Sequence, residues 1–327
     1  MLMKHRALLA LLFGFSFMFS ALSVQAQPRT GGAVQETEDE FKVTTYRKFV
    51  ENREPYPAVA YQAARDYMAK YGKEDDQYTR YLRQWMAAFE KDDRQDKLLQ
   101  SMYGEKNYTA AFNAAKQVLA DDPENLKVLI ALGYGGYLAT TNAKNEAFNA
   151  DSVRYAQKAL QILDTGKTPE GGWEPFKNRE DTAASLNYAI GVLELKAQPD
   201  ESASRFIRVT QIDSDLKKTA SPYYFLAVAY EQGAYKRLSA DYTKRFANQA
   251  ETPESKAALE ALNKVMDRII DAYARAVALA GNDPQQQVKK AEWNKRLTDL
   301  YKFRHENSDT GLSEYIAGIL AKPLPLP

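Results

Sequence analysis

The sequence predicts an all-α protein, an α-solenoid of antiparallel helix pairs. Beyond residue 36, residues that favour helices dominate, and alternating runs of β-branched residues are almost absent. Proline, glycine and short polar residues mark where successive helices begin and end. A pattern of small and large apolar residues also recurs along the middle of the chain. Together these three observations indicate an array of helical repeats.

The first 26 residues have the features of an export signal. Lys4 and Arg6 precede an apolar run, and Val24-Gln25-Ala26 supplies the small residues of a cleavage site after Ala26. An uncleaved membrane anchor is the alternative, but a run of about 18 residues interrupted by glycine and serine is marginal for a span. We therefore expect a signal peptide over 1–26 and a flexible leader over 27–36. The expected protein is exported, periplasmic or secreted in a bacterial cell envelope, with no membrane span after cleavage.

Composition excludes several classes of function. The chain has 44 Lys and Arg residues against 43 Asp and Glu residues, and cleavage after Ala26 would remove two basic residues and no acidic one. This near-neutral balance disfavours nucleic acid as a partner, because phosphate binding needs a basic face. The absence of cysteine excludes disulfides and thiolate chemistry, and His305 is the one histidine after residue 26. Histidine triads and multi-histidine zinc sites are therefore excluded, and no cofactor or metal is expected.

The N-terminal helices are delimited by proline, aspartate and glycine. The prolines in 55–57 precede a helix expected over about 58–71, with a glycine directly after it. Asp75 or Asp76 is placed to cap a long helix that runs toward residue 103 and stops at Gly104.

The middle of the chain carries the repeated pattern. A helix is expected to begin at 107–111 and to close at 121–125. The following helices carry the pairs Leu132-Gly133, Ile190-Gly191 and Leu226-Ala227, the last two of which are 36 residues apart. A small residue at each helix crossing allows close approach of two helices, and the large residue beside it fills the groove of the partner.

These residues resemble the tetratricopeptide repeat, a helix–turn–helix unit of 34 residues. Leu132-Gly133, Ile190-Gly191, Tyr108, Ala111, Pro123 and Ala203 stand where that family has its small, aromatic and proline positions. The resemblance is clearest over about 106–232 and implies a right-handed superhelix forming one domain over 37–321. Another helical-repeat fold or a helical toroid is the alternative. The expected tryptophan is missing from the repeats, an insertion lies at 140–149, and the connection at 165–180 is long.

The C-terminal elements follow the same signals. Thr252-Pro253 is a helix start, and the helix is expected to end near Gly281. Pro284 opens the next helix, and Ser308 or Asp309 is expected to cap a last short one. The tail over 322–327 alternates proline with other residues and cannot be helical.

Acidic pairs and glycines are expected to be structural. The pairs Asp92-Asp93, Asp121-Asp122 and Glu180-Asp181 are predicted beside helix boundaries, where carboxylates cap and complement the helix dipole. Gly133, Gly135 and Gly136 lie inside a predicted helix with no strand before it, so we expect them to serve close packing or local flexibility and not to form a phosphate loop. No catalytic residue is predicted.

The resemblance to tetratricopeptide repeats also implies a concave groove lined by the first helix of each repeat. Four of the positions carried over to this groove are tyrosines, and we expect at least two of these tyrosines to be exposed. In the alternative, some of them belong to the core between repeats. In the long connection, Trp173 and Phe176 are expected to pin the loop to the solenoid, with contact to a ligand as the alternative. The positions carried over to this groove are Lys127, Ile130, Tyr134, Tyr137, Tyr188, Val192, Leu195, Tyr224, Val228 and Glu231.

The leading functional expectation is a non-enzymatic scaffold of the cell envelope that binds a peptide or a protein in this aromatic groove. It rests on analogy of fold. The alternative is a secreted all-helical protein that binds or hydrolyses glycans, using tyrosine and tryptophan platforms and a pair of carboxylates. A third possibility is an assembly subunit that associates with copies of itself.

Overall fold

The computed structural model describes residues 37–281 and 286–327. The predicted signal peptide, its cleavage site after Ala26, the leader and Pro284 lie outside these residues. Within them the chain is helical over 77% of its length and has no strand. The all-α class is therefore confirmed for the part of the chain that the structure describes.

Thirteen α-helices are present in the described residues, and most pack against neighbours in the chain. Short π-helical turns continue α3 and α9, over Gln100–Gly104 and Glu231–Tyr235. The helices are α1 (Glu38–Asn52), α2 (Pro57–Tyr71), α3 (Gln77–Leu99), α4 (Tyr108–Asp121), α5 (Leu126–Ala143), α6 (Asn149–Asp164), α7 (Arg179–Glu194), α8 (Pro199–Gln211), α9 (Ala220–Tyr230), α10 (Lys236–Phe246), α11 (Pro253–Ala280), α12 (Gln287–Arg304) and α13 (Leu312–Gly318).

Several predicted helix ends are confirmed. Helix α2 begins at Pro57, and Gly72 caps its C-terminus. At the start of α3, the Asp76 carboxylate accepts a hydrogen bond from the Thr79 backbone N–H at 2.8 Å. Helix α11 begins after Thr252, whose hydroxyl accepts from the Ser255 backbone N–H. These caps satisfy backbone donors that have no partner inside the helix.

The predicted cap of the last helix is wrong. Helix α13 begins at Leu312, and its N-cap is Gly311, which has a φ of +86°. The Ser308 hydroxyl donates to Thr310 at 2.9 Å, and the Asp309 carboxylate lies 2.9 Å from the Lys302 ammonium. The Ser308 and Asp309 side chains thus make contacts outside α13, and Gly311 in a left-handed conformation is the N-cap without a side-chain hydrogen bond.

Two of the three acidic pairs are not at helix N-termini. Asp92-Asp93 lies in the interior of α3. Asp121 is the last residue of α4, and Asp122 is its C-cap. The cap of α5 is Asn125, whose side chain accepts from the Val128 backbone N–H at 3.1 Å. Glu180-Asp181 does lie in the first turn of α7, as predicted.

The chain divides into two compact units at Arg94 and Gln95, within α3. The boundaries predicted for a single repeat domain over 37–321 stay a prediction. Among the described helices, none has the combined length and apolar character needed to cross a membrane.

The core of the first unit is aromatic. Phe49, Tyr67 and Leu82 are fully buried there, together with small residues of α2. The rings of Phe49 and Trp85 meet edge to face, with centroids 5.0 Å apart. The Tyr71 hydroxyl donates to the Glu38 carbonyl at 2.8 Å, which joins the end of α2 to the start of α1.

In the second unit, small residues bring α5 and α6 together. A Cβ atom added at Gly133 would lie 2.7 Å from the Cα of Ala156. One turn further, the Gly136 N–H donates to the Ser152 hydroxyl at 2.9 Å, and that hydroxyl donates to the Leu132 carbonyl at 2.7 Å. The predicted role of these glycines in close packing is confirmed.

Candidate functional site: an aromatic row on the second unit

Seven aromatic side chains of the second unit form one continuous series of ring contacts, which we call the aromatic row. Neighbouring ring centroids are 4.9 to 5.8 Å apart, within the range of favourable aromatic pairs. The contacts run from the loop at 165–178 through α5, α7 and α9 to α12. In order of contact, the members are Phe176, Tyr134, Tyr137, Tyr188, Phe225, Tyr224 and Trp293.

Helix periodicity and packing explain the row. Tyr134 and Tyr137 are three residues apart on α5, so they share one face of that helix. Helix α5 packs against α7 as well as α6, and this brings Tyr137 to Tyr188 at 5.6 Å. Gly133 and Gly136 face α6, so a different face of α5, which carries Tyr134 and Tyr137, packs toward α7.

The row is half-buried along much of its length. Tyr188 is 6% exposed, whereas Tyr134, Tyr137 and Tyr224 retain intermediate exposure. Burial raises the pKa of Tyr134 to about 12. Burial also raises the pKa of Tyr137, and its hydrogen bond with Tyr188 opposes that shift. These hydroxyls therefore stay protonated at neutral pH and keep a hydrogen-bond donor beside a large apolar face.

The ten residues predicted to line a groove divide into two groups. Lys127, Ile130 and Tyr188 are buried, at 7%, 4% and 6% exposure, so they do not line an open surface in this structure. The other seven have intermediate exposure: Tyr134, Tyr137, Val192, Leu195, Tyr224, Val228 and Glu231. Whether these seven contact a partner stays a prediction.

The loop at 165–178 explains the burial at the α5 end. The Lys127 ammonium donates to the carbonyls of Gly172 and Glu174, at 2.7 and 2.8 Å. The Glu174 carboxylate lies 3.8 Å from the same ammonium. Trp173 and Phe176 are half-buried and pack against the apolar cluster that includes Ile130. The loop thus covers part of the surface that the sequence assigned to a groove.

Both ends of this loop are held by polar contacts. Lys177 pairs with Asp215, which raises the pKa of Lys177 and lowers that of Asp215 through their hydrogen bond. Arg179 donates to the Leu163 carbonyl at the end of α6, at 3.0 and 3.2 Å. The Asn178 side chain caps α7.

The opposite end of the row is formed by α9 and α12. The Tyr224 ring stacks on Trp293, with centroids 4.9 Å apart and planes 21° apart. Burial raises the pKa of Tyr224. Glu231 lies two turns further along, where its carboxylate accepts from the Arg296 guanidinium at 2.9 Å. This end therefore combines a stacked aromatic pair with an ion pair at its margin.

Sequence reasoning missed two members of the row, Phe225 and Trp293. Phe225 follows Tyr224 directly, and the positions carried over from the tetratricopeptide repeat include Tyr224 and not Phe225. Trp293 belongs to another helix, so no spacing along the chain relates it to Tyr224. Among the described residues, no group of three or more His, Cys, Asp or Glu side chains could hold a metal ion.

No protein-family model, curated protein or solved structure matches this chain. The resemblance to tetratricopeptide repeats therefore remains a prediction. The contacts of the aromatic row are the strongest basis for a functional argument.

Proposed function

We propose that this protein is a non-enzymatic interaction scaffold that binds a peptide or protein segment along the aromatic row. The observation that carries the proposal is the continuity of the row, from Phe176 on the loop to Trp293 on α12. Five of its seven rings are partly exposed, whereas Tyr188 and Trp293 are buried. In this proposal the helices form an α-solenoid of the tetratricopeptide type, and the row follows its concave side.

The chemistry of the row suits a peptide. Tyrosines bury a large area while freezing few torsions, and they are enriched among residues that dominate binding energy. Their hydroxyls can donate to the main-chain carbonyls of a bound segment. Val192, Leu195 and Val228 add half-buried aliphatic surface, which favours a partner with apolar side chains.

Selection of peptides from a phage-displayed random library on the full chain tests this proposal. Hot-spot side chains cost at least about 2 kcal/mol on truncation. We therefore expect selected peptides to bind the Tyr137→Ala variant at least about thirtyfold more weakly. Tyr242→Ala is a matched control, because Tyr242 is a half-buried tyrosine on α10 that contacts Phe246 outside the row. Circular dichroism would verify that both variants remain helical.

Equal binding of the selected peptides to both tyrosine variants would contradict the proposal. Failure to select any peptide, combined with Tyr137-dependent binding to purified polysaccharides, would replace it with the glycan-binding alternative. Hydrolysis of such a polysaccharide would require the carboxylate pair of that alternative.

We further propose that the protein acts in the bacterial cell envelope, which rests on the predicted signal at 1–26. Sequencing the N-terminus of protein recovered from the soluble envelope fraction should give Gln27 as the first residue. Recovery of a form that retains Met1 in the membrane pellet would instead establish an anchor.

A further inference from the structure

The loop at 165–178 meets the aromatic row as a bound peptide would. Phe176 places its ring edge on Tyr134, at 5.3 Å and 83°. Trp173 packs against the apolar cluster that includes Ile130, and Pro175 lies between Trp173 and Phe176 in the sequence. Two main-chain carbonyls of the loop accept hydrogen bonds from Lys127. The contacts thus combine aromatic side chains with main-chain recognition.

Lys127 lies where local preference disfavours a cation. It is the second residue of α5, and the positive end of the helix dipole disfavours a positive charge in the first turn. The residue is also 7% exposed, and a buried ammonium needs hydrogen-bond acceptors to offset its lost hydration. The carbonyls of Gly172 and Glu174 provide such acceptors. The position of Lys127 is therefore explained by its binding of main-chain oxygens.

The loop is attached to the row through few groups. Its two aromatic side chains are half-buried, and Glu174, Pro175 and Lys177 are exposed. Gly171 and Gly172 have positive φ angles of 75° and 93°, so this part of the loop has an irregular backbone. The row continues from Tyr134 to Tyr137, whose partly exposed ring offers further apolar surface to an incoming segment.

We propose that the α5 end of the aromatic row is a binding site for a peptide segment in which an aromatic residue stands beside a proline. The loop at 165–178 is its internal occupant, and a partner segment of the same chemistry replaces it. Lys127 donates to the main-chain carbonyls of the segment, and Tyr134 receives its aromatic side chain. This inference rests on the proposed function, since it assigns partner chemistry to one end of the same row.

The loop itself supplies the probe for the test. A fluorescent peptide with the sequence of residues 168–178 would be titrated into the full chain and into the double variant Trp173→Ala/Phe176→Ala. The double variant removes both rings of the internal occupant and keeps Lys127 and Tyr134. We expect it to bind the peptide at least tenfold more tightly than the parent, and to discriminate against a scrambled peptide.

Adding Lys127→Met to the double variant should abolish this gain, because the carbonyls lose their donor. Lys158→Met is the matched control, since Lys158 donates to the Pro123 carbonyl elsewhere on the unit. We expect the control to keep the tight binding. The milder variant Phe176→Leu retains an apolar contact and should show a gain of a few fold, so the test does not depend on the double variant alone.

Equal affinity of the parent, the double variant and Phe176→Leu for the peptide would overturn the inference. Equal binding of the scrambled peptide, or retention of the gain after Lys127→Met, would overturn it as well. If library-selected peptides still depend on Tyr137 in that case, the proposed function stands and only the internal-occupant inference fails. If neither kind of peptide binds, both fail.

Discussion

Replacing Gly133 with alanine tests the packing on which the second unit depends. The Cβ atom of an alanine at this position would lie 2.7 Å from the Cα, 2.8 Å from the N and 2.9 Å from the Cβ of Ala156. Real Cβ atoms essentially never approach other atoms below 3.0 Å. Because two of the three atoms are backbone, no change of side-chain rotamer on α6 relieves the clash. Helices α5 and α6 must separate.

The expected magnitude follows from two opposing effects. Alanine is favoured over glycine in a helix interior by about 1 kcal/mol. Overpacking a close-packed site costs about 1–3 kcal/mol, and a clash with backbone belongs at the upper end of that range. The net expectation for Gly133→Ala is therefore a loss of about 1–2 kcal/mol in the free energy of unfolding. For a unit of this size, that corresponds to a fall in Tm of about 2–8 °C.

Thermal unfolding followed by circular dichroism measures this effect. Gly318→Ala is the matched control, because a Cβ atom added there would have no atom within 4 Å. The control should unfold at the parent temperature or slightly above it. A Gly133→Ala variant that unfolds at or above the parent Tm would show that the α5–α6 crossing is not as close as described.

Three further predictions follow from other contacts. Thr252→Ala removes the cap of α11 and should lower the free energy of unfolding in urea by ~1 kcal/mol, whereas Thr252→Ser should lower it much less. Equal losses in the two variants would show that the Thr252 hydroxyl does not stabilise the helix. Burial raises the pKa of Tyr134 to about 12, above the value of about 10 for an unfolded tyrosine. As the pH rises from about 10 to 12, the unfolded state therefore loses this proton before the folded state does, and the free energy of unfolding should fall. Tyr134→Phe should weaken that fall in urea unfolding at stepped pH, and an unchanged slope would refute the assignment. Arg275→Met leaves the Asp271 carboxylate buried without its guanidinium and should lower the free energy of unfolding by about 3–5 kcal/mol. The double change Arg275→Met/Asp271→Leu should restore much of this loss. No recovery of stability in the double variant would contradict the description of this ion pair.

Helix ends were predictable from sequence where a single local interaction decides them. Thr252 followed by proline, and Gly72 after an alanine-rich run, act within one turn of their own position. The α13 cap failed because Ser308, Asp309 and Gly311 were all acceptable choices locally. There, the surrounding turn and the contact of Asp309 with Lys302 decide the outcome.

The aromatic row was only partly predictable, because burial depends on contacts between distant parts of the chain. The resemblance to tetratricopeptide repeats selected Tyr134, Tyr137, Tyr188 and Tyr224, all of which belong to the row. It could not distinguish the buried Tyr188 from the half-buried tyrosines, since the α5–α7 packing sets that difference. The burial of Lys127 beneath the loop at 165–178 could not be predicted from repeat positions either. A lysine in the first turn of an apolar helix was the local signal for it.

Two buried cations of the second unit, Lys127 and Arg275, bind irregular segments in the same way. Each donates to two main-chain carbonyls, those of Gly172 and Glu174 in one case and those of Lys322 and Pro323 in the other. Irregular segments need such donors, because their buried carbonyls lack the ladder of a helix or sheet.

Their electrostatic settings differ in a way that bears on function. Arg275 carries its carboxylate partner with it, since Asp271 lies one turn earlier on α11 and is itself buried. The Glu174 carboxylate near Lys127 belongs to the loop and is 82% exposed, and Lys127 also donates to two main-chain carbonyls of the loop. Departure of the C-terminal tail would leave Arg275 paired on its own helix, as in a permanent anchor. Departure of the loop would take three oxygen partners from Lys127 together. An incoming peptide that places main-chain carbonyls where the loop has them would form the same hydrogen bonds with Lys127, so the exchangeable site is assigned to α5.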